Sequence, residues 1–110
     1  MHNKNFLLKS ILEIIETNNG EEITLLNFYK KKNRIYDYFI ICNGRSNQHV
    51  FSLYEKIKEN TSPNHAEGIR KSKWILMDYI NIIVHIFLKE IRNYYQLEKI
   101  YQGIKILSYE

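Results

Sequence analysis

The sequence predicts a single α/β domain in which helices pack against a mixed β-sheet. Its 110 residues are a typical length for one domain with one hydrophobic core. Apolar residues make up 45% and charged residues 25%, which is the balance of a globular protein. Segments with helical periodicity alternate with short β-branched and aromatic segments, in the order helix, strand, strand, helix, strand, strand, helix.

The first half of the chain predicts one helix and two strands. Apolar residues recur at helical spacing from Phe6 to Thr17, and Asn18-Asn19-Gly20 is typical of the end of a helix. Ile23 to Tyr29 and Ile35 to Cys42 are rich in aromatic and β-branched residues and are predicted strands. The basic segment between them, Lys30 to Arg34 (KKKNR), is either a solvated hairpin loop or a phosphate-binding patch, and we favour the loop.

A second helix is predicted after the turn Asn43-Gly44-Arg45-Ser46. Ser46 is a suitable N-cap for it. GRSN could also be a phosphate-binding turn at a helix N-terminus, but it lacks the glycine pattern of such loops, so we favour capping. Four apolar residues follow at the spacing of one helix face: Val50, Leu53, Tyr54 and Ile57. The helix is long enough to connect parallel strands, so we expect the second strand to run parallel to the strand that begins at Trp74.

The second half predicts an edge strand, a hairpin and a final helix. His65 to Gly68 is a candidate edge strand, and Trp74 to Tyr79 and Ile82 to Phe87 are the two hairpin strands. A two-residue loop, Ile80-Asn81, would place Trp74 opposite Phe87. The remaining segment, Lys89 to Tyr101, is helix-prone, with an imperfect apolar stripe.

This register gives the hairpin two different faces. One is nearly pure core: Ile75, Met77, Tyr79, Ile82, Val84 and Ile86. The other is mixed: Trp74, Leu76, Asp78, Ile83, His85 and Phe87. Asp78 lies diagonal to His85, so the two side chains could form a hydrogen bond. The pair is either a base oriented by a carboxylate or a structural pair on a docking face; we favour the second, since no nucleophile accompanies it.

Several classes of site are not supported. Cys42, the only cysteine, cannot form an internal disulfide and is expected to be a small buried apolar residue. The histidines have no metal-ligand spacing, so no metal site is expected. Two-metal nucleotidyl transfer needs clustered carboxylates, whereas the chain has two aspartates, Asp37 and Asp78, and no D-x-D pattern.

Charge and hydropathy give weaker indications. The net charge of +4 is compatible with phosphate contacts to RNA, although a Lys-rich composition alone would produce it. No stretch reaches the roughly 18 apolar residues of a membrane span, and the start of the chain is too acidic for a signal peptide. A cytoplasmic location and no membrane contact are therefore expected. Trp74, the only tryptophan, is either the anchor of a protein-binding site or a core residue.

Four segments together resemble the ribosomal silencing factor family, also called the Iojap family. They are DYFIICNGRSNQHV from Asp37, EG at Glu67 and Gly68, WILMDYINIIVHIF from Trp74, and an R-x-x-Y-x-L-E pattern that starts at Arg92. Each motif is modest alone, but the four in this order and spacing are highly specific. The resemblance covers most of the chain from the second predicted strand onward and implies one such domain over residues 1–110.

The resemblance implies a translational repressor rather than an enzyme. Such a factor binds the large ribosomal subunit through ribosomal protein uL-fourteen and blocks joining of the small subunit. It has a nucleotidyltransferase-like core without catalytic carboxylates and needs no cofactor. The family's W-x-L-x-D-Y docking motif falls on Trp74, Leu76, Asp78 and Tyr79. A peripheral contact with ribosomal RNA and a homodimer of the free protein stay open, and the alternative function is a nucleotide-binding or nucleotidyl-transferring enzyme.

The sequence departs from the family at the hairpin turn. Ile80 and Asn81 stand where Gly-Asp usually follows the D-Y pair. A β-branched residue resists positive φ, so a tight primed turn is not expected here, and a bulge or another turn is predicted instead. Tyr79 falls on the core face in the predicted register, so it would have to dock from the end of the strand. The missing aspartate also removes a charge that could face a basic partner.

Overall fold

The structure, a computed structural model, describes residues 3–100 and 105–108. The elements in chain order are α1 (Asn3–Thr17), β1 (Glu21–Asn27), β2 (Tyr38–Gly44), α2 (Asn47–Asn60), β3 (His65–Glu67), β4 (Trp74–Asp78), β5 (Ile82–Leu88), α3 (Lys89–Tyr95), α4 (Leu97–Ile100) and β6 (Lys105–Ser108). The six strands form one sheet in the order β3-β4-β5-β2-β1-β6. The predicted α/β domain with a mixed sheet is confirmed.

The sheet contains one parallel pair, and it is not the predicted one. β2 runs parallel to β5 and antiparallel pairing joins the other neighbours. The expectation that β2 and β4 are parallel is wrong. The reason lies in burial, because β5 is buried along Ile82 to Phe87 on both faces, whereas alternate residues of β4 are half exposed. β5 therefore takes the central place beside β2, and β4 lies outside it.

Apolar side chains form a core on each face of the sheet. Helices α1 and α2 cover one face over the larger core, which includes Ile11, Ile15, Ile40, Leu53, Ile57, Met77 and Val84. The predicted apolar face of the hairpin is confirmed as part of this core. On the opposite face lies a smaller core, made of Leu26, Phe28, Phe39, Ile41, Ile83, Phe87 and Leu97.

The predicted helix ends are confirmed. Asn19 has a φ of 65°, and the Gly20 amide donates to the Ile15 carbonyl at 2.8 Å, which closes α1. The hydroxyl of Ser46 accepts from the His49 amide at 3.1 Å and caps α2. GRSN therefore acts as a capping turn, as predicted. The apolar stripe of α2 is buried against the sheet, also as predicted.

The loop between β1 and β2 is longer than predicted. The strands end at Asn27 and begin at Tyr38, so the bounds Ile23–Tyr29 and Ile35–Cys42 are each shifted by two or three residues. The guanidinium of Arg34 donates to Asp37 at 2.7 Å and to the Tyr29 carbonyl at 2.8 Å, which holds this segment as a loop. The residues of KKKNR are exposed in it, so the segment is a solvated loop, as predicted; binding of phosphate by it stays a prediction.

The predicted register of the β4–β5 hairpin is correct. Trp74 pairs with Phe87 and Asp78 with Ile83. Ile80 has a φ of 77°, so the premise that this β-branched residue avoids positive φ is wrong. The Asn81 amide nevertheless donates to the Tyr79 carbonyl two residues back, at 2.9 Å, which with the positive φ indicates the rarer, strained form of γ-turn rather than a primed β-turn. The expectation of another kind of turn is thus confirmed.

The final segment differs from the prediction of one helix from Lys89 to Tyr101. Tyr101 lies outside the described residues, and α3 already ends at Tyr95 because Gln96 adopts a left-handed conformation with a φ of 49°. A short second helix, α4, follows. Strand β6, which pairs antiparallel with β1 at the far edge of the sheet, was not predicted.

A buried arginine explains the break between α3 and α4. Arg92 is only 6% exposed, and its guanidinium donates to Glu98 at 2.6 and 2.9 Å. It also reaches the side chains of Asn43 and Thr24 and the Glu22 carbonyl, at 2.6 to 2.9 Å. Bringing Glu98 within reach of Arg92 requires the chain to turn after α3. One side chain therefore ties α3 and α4 to β1 and β2.

Replacing Arg92 should strongly destabilise the domain. Arg92→Met leaves Glu98 and Asn43 without their buried donor, so we expect a loss of about 3 kcal/mol in the free energy of unfolding. Urea denaturation followed by circular dichroism measures it. The control is Arg45→Met, because the Arg45–Glu21 pair is solvent-exposed and should contribute under about 1 kcal/mol. Equal losses in both variants would contradict the assigned role of Arg92.

Replacing Ile80 by glycine should stabilise the domain. Ile80 is 61% exposed, so little burial is lost. Glycine removes the strain of a positive φ, and we expect a gain of about 1 kcal/mol in urea denaturation. Ile35→Gly is the control, since Ile35 is 80% exposed and has no positive φ; it should be neutral or destabilising. If Ile80→Gly lost as much stability as Ile35→Gly, the turn would not be strained.

Candidate functional site

The candidate site lies on the sheet face opposite α1 and α2, where strand β4 is half exposed. Trp74, Leu76 and Asp78 alternate on this face, and all three are partly accessible. Their neighbours Ile83, His85 and Phe87 on β5 are buried, because α3 packs over β5 and β2. The mixed face predicted for the hairpin is therefore accessible only on its β4 half.

Trp74 is held firmly without being wholly inside the core. Its ring stacks on Phe87 with 4.8 Å between centroids and contacts the Tyr95 ring at 5.0 Å. Its indole N–H donates to Nδ1 of His85 at 3.1 Å. The side chain is half-buried. These contacts hold the indole in place and leave part of the side chain accessible at the surface, as is typical of an interface anchor.

His85 serves as the hydrogen-bond acceptor for Trp74. An indole N–H can only donate, so Nδ1 of His85 is unprotonated and Nε2 carries the proton. The ring is 4% exposed, and burial lowers the pKa of His85 to about 4. The imidazole is therefore neutral near pH 7. It is a buried support for Trp74, in agreement with the prediction of a structural role.

The hydrogen bond considered between Asp78 and His85 is not formed. Oδ1 of Asp78 instead accepts from the Ile80 amide at 2.7 Å. This hydrogen bond stabilises the γ-turn, because it gives the amide of the strained residue Ile80 a partner. The Asp78 carboxylate thus binds the turn, where Ile80 rather than a glycine follows Tyr79, instead of His85.

Tyr79 lies apart from the other three residues of the predicted docking set. Its ring packs on the larger core, and its hydroxyl lies 2.7 Å from the Thr61 hydroxyl. Burial raises the pKa of Tyr79. The structure thus brings Trp74, Leu76 and Asp78 together on one face and places the Tyr79 side chain on the other. Because Thr61 follows α2, Tyr79 connects the end of β4 to that helix.

Two tyrosines of α3 extend the accessible surface. Tyr95 is 49% exposed and Tyr94 80% exposed, and their rings meet edge to face at 5.1 Å. The imperfect apolar stripe predicted for Lys89 to Tyr101 included both tyrosines, and the structure shows instead that both are exposed. We call Trp74, Leu76, Tyr94 and Tyr95 the aromatic surface.

The nucleotide-binding alternative predicts a polar pocket near Gly44 to His49, and the polar side chains there are bonded to neighbouring residues. Nε of Arg45 pairs with Glu21 at 2.5 Å, and its amide donates to Nδ1 of His49. Nε2 of His49 lies 3.0 Å from the Asn18 carbonyl. Cys42 is buried as predicted, and desolvation raises the pKa of its thiol to about 12. Such a thiol is a poor nucleophile.

Within residues 3–100 and 105–108, no group of three or more His, Cys, Asp or Glu side chains is placed to hold a metal ion. In the same part of the chain, none of the helices has the length and apolar character required to span a bilayer.

The buried His85 predicts a specific pH dependence of stability. Its pKa is lower in the folded state than its ordinary value of 6.5, so the unfolded chain binds the proton more tightly and stability falls as pH drops from about 6.5 towards 4. We expect His85 to account for a loss of about 2 kcal/mol between pH 7 and pH 4.5.

Urea denaturation across that pH range, on the native protein and on His85→Asn, measures this contribution. The asparagine oxygen occupies the position of Nδ1 and can accept from the Trp74 indole, so the variant is designed to keep the hydrogen bond and lose the titration. Its stability should fall less steeply with acidification. Parallel curves for the two proteins would show that His85 does not titrate between the folded and unfolded states.

Comparison with known proteins gives a consistent result. The family model "Ribosomal silencing factor during starvation" matches residues 2–108. The ribosomal silencing factor of Bacillus subtilis is 31% identical over 104 residues, covering 90% of this chain and 87% of that protein. The corresponding factor of Halalkalibacterium halodurans is 30% identical over 100 residues, covering 86% and 85%.

Solved structures agree with the sequence relatives. A crystal structure of a Chromobacterium violaceum protein has a TM-score of 0.80 at 27% identity and covers 92% of this chain and 88% of its own. One from Bacillus halodurans has a TM-score of 0.77 at 26% identity and covers 96% and 98%. With the family match over nearly the whole chain, they lead to one conclusion: the chain belongs to the ribosomal silencing factor family, RsfS.

Proposed function

We propose that the protein is a ribosome-associated repressor of translation. In this proposal it binds the large ribosomal subunit through ribosomal protein uL-fourteen and prevents the small subunit from joining by occupying its place. Membership of the silencing factor family supports the regulatory role. A mouse relative, 25% identical over 104 residues that make up 45% of its length, is named for mitochondrial assembly of the large ribosomal subunit.

The observation that carries the proposal is the fixed, half-exposed Trp74. Hot spots of protein interfaces are commonly tryptophans in well-packed surroundings. The contacts of Trp74 with Phe87, Tyr95 and His85 hold it in place before any partner arrives. Little conformational entropy is then lost on binding. The aromatic surface can form the centre of an interface of standard size, about 800 Å² per partner.

The remaining residues of the W-x-L-x-D-Y motif have different parts in this proposal. Leu76 lies beside Trp74 and adds apolar area, while Asp78 offers a carboxylate oxygen at the rim. Tyr79 belongs to the site through its position at the end of β4, where its hydroxyl holds the turn against Thr61. Asn81 cannot supply the family's second carboxylate, so we expect weaker attraction to a basic partner than in relatives that have it.

A catalytic function is not part of the proposal. The two aspartates are engaged elsewhere, because Asp37 binds Arg34 and Asp78 binds the turn amide. Within the described residues, neither belongs to a group of three or more His, Cys, Asp or Glu side chains that could hold a metal ion. The protein would act in the cytoplasm, where ribosomes are found, and a homodimer of the free protein is compatible with its exposed aromatic surface. Saturable binding of a magnesium nucleotide in calorimetry would instead support the enzymatic alternative.

Removing the Trp74 side chain should weaken binding to the large subunit. For Trp74→Ala we expect a loss of roughly 2 kcal/mol or more, which is about 30-fold in Kd. Co-sedimentation with purified large subunits measures Kd, and circular dichroism verifies that the variant is folded. The control is Phe6→Ala, which removes an exposed ring from α1 on the other side of the sheet and should leave Kd unchanged.

The repressor activity itself is tested with purified subunits on a sucrose gradient. Added protein should migrate with the large subunit and reduce the amount of joined ribosomes, and Trp74→Ala should do both less well. An unfolded Trp74→Ala protein would identify Trp74 as core and remove the basis of the docking assignment. Unchanged amounts of joined ribosomes at saturating protein would remove the proposed function itself.

A further inference from the structure

The segment that leads into Trp74 presents three exposed cations. Residues 68–73, GIRKSK, connect β3 to β4, and we call them the 68–73 loop. Arg70, Lys71 and Lys73 are exposed, and none of them has an ion pair with the described part of the chain. The nearest acidic residue in sequence, Glu67, is hydrogen-bonded to His65 at 3.0 Å. The positive charge of the loop is therefore not neutralised from within.

The backbone of this loop is held in one conformation. Gly68 has a φ of 82°, and a Cβ there would lie 2.0 Å from the Trp74 carbonyl, so only glycine fits. Ser72 has a φ of 52°; its amide donates to the Gly68 carbonyl at 3.1 Å and its hydroxyl to Ile69 at 2.8 Å. Strain of this kind persists where surrounding contacts enforce it, often at binding sites.

Neighbouring elements fix the loop from both sides. The amide group of Asn47, in the first turn of α2, donates to the Lys71 carbonyl at 3.1 Å and to the Ser72 carbonyl at 3.2 Å. The Lys73 carbonyl accepts from Leu88 at 2.8 Å, which anchors it to β5. The three cations thus project from a rigid support, and a partner need not order the loop backbone.

The cations and the aromatic surface share one concavity. Gly68, Ile69, Arg70, Lys71, Lys73 and Trp74 line an open cavity of about 340 Å³. Trp74 is the member common to the cavity and the aromatic surface. A partner seated on Trp74 would therefore have its adjoining surface directly over the loop.

We propose that the 68–73 loop binds the phosphate backbone of ribosomal RNA beside the protein that docks on the aromatic surface. The inference rests on the proposed function and adds a second partner to it. A guanidinium binds two phosphate oxygens in a planar fork, and two lysines add point charges. Three cations without an ion-pair partner lie next to an apolar patch. This arrangement matches a partner in which protein borders RNA, because RNA presents closely spaced, ionised phosphates.

Salt dependence of binding tests the charge. Each phosphate contact adds about 0.7 to the slope of log affinity against log salt. Three contacts therefore make the affinity for the large subunit more sensitive to salt. Between roughly 50 and 200 mM salt, the affinity of the native protein should fall about 20-fold more than that of a variant without the three cations. The variant is Arg70→Gln, Lys71→Gln, Lys73→Gln. The charge-matched control is Lys9→Gln, Lys56→Gln, Lys58→Gln, on α1 and α2, and it should keep the native slope.

Crosslinking identifies the partner as RNA or protein. Cys42 is buried, so a benzophenone label on Lys71→Cys reacts at that position alone. Irradiation of its complex with large subunits should give a product that ribonuclease shortens. A product that resists ribonuclease and is digested by protease would overturn the inference and assign the loop to an acidic protein surface. Equal salt slopes for the loop variant and the control would overturn it as well.

Failure of this inference is distinguishable from failure of the proposed function. If the loop variant co-sediments with the large subunit like the native protein at every salt concentration, while Trp74→Ala does not, the repressor proposal stands and the RNA contact is rejected. If the native protein does not co-sediment at all, the proposed function fails. A labelled oligouridine RNA then still tests the loop by fluorescence anisotropy, and equal affinity for the loop variant and the control rejects it.

Discussion

The architecture depends on one constraint: strand β5 is apolar on both faces and must be covered on both. A strand of this kind is stable only in the interior of a sheet with a layer on each side. Helices α1 and α2 supply one layer and α3 supplies the other. The parallel pairing with β2 follows, and so does the outer position of β4. Because β5 occupies the interior of the sheet, β4 lies outside it and has a half-exposed face. The proposed site lies on that face.

The second cover of β5 is held by polar contacts as well as by the apolar packing of Ile91 and Leu97 on the smaller core. Helix α3 has seven residues, too few to be stable by itself, and its outward tyrosines add little to the core. Arg92 compensates by binding β1, β2 and α4 through one guanidinium. The position of Tyr95 against Trp74 depends on this arrangement. The Arg92–Glu98 pair thereby fixes α3, and with it the position of Tyr95 in the aromatic surface.

Local patterns in the sequence were sufficient for the parts of the fold that depend on near neighbours. The Ser46 cap, the stripe of α2, the buried Cys42 and the pairing of Trp74 with Phe87 were all predicted correctly, because each is encoded within a few residues or by the alternation of a hairpin. The long-range features were not. The parallel partner of β2, the turn of the chain at Gln96 and the β1–β6 pair depend on contacts between distant segments. For the site, the row of Trp74, Leu76 and Asp78 was predictable from alternation, whereas the part of Tyr95 was not, since nothing in the sequence marks the end of α3.

The single, half-exposed tryptophan also makes the domain its own optical probe. Trp74 is the only tryptophan of the chain, so emission excited at the red edge of the indole band comes from one ring, at the centre of the proposed interface. That ring is half in water, and its emission should shift to the blue when a partner excludes the remaining solvent. Tyr95 lies in contact with the same indole and transfers energy to it when tyrosine is excited. Docking of a purified partner protein without tryptophan could thus be followed in real time with no label attached.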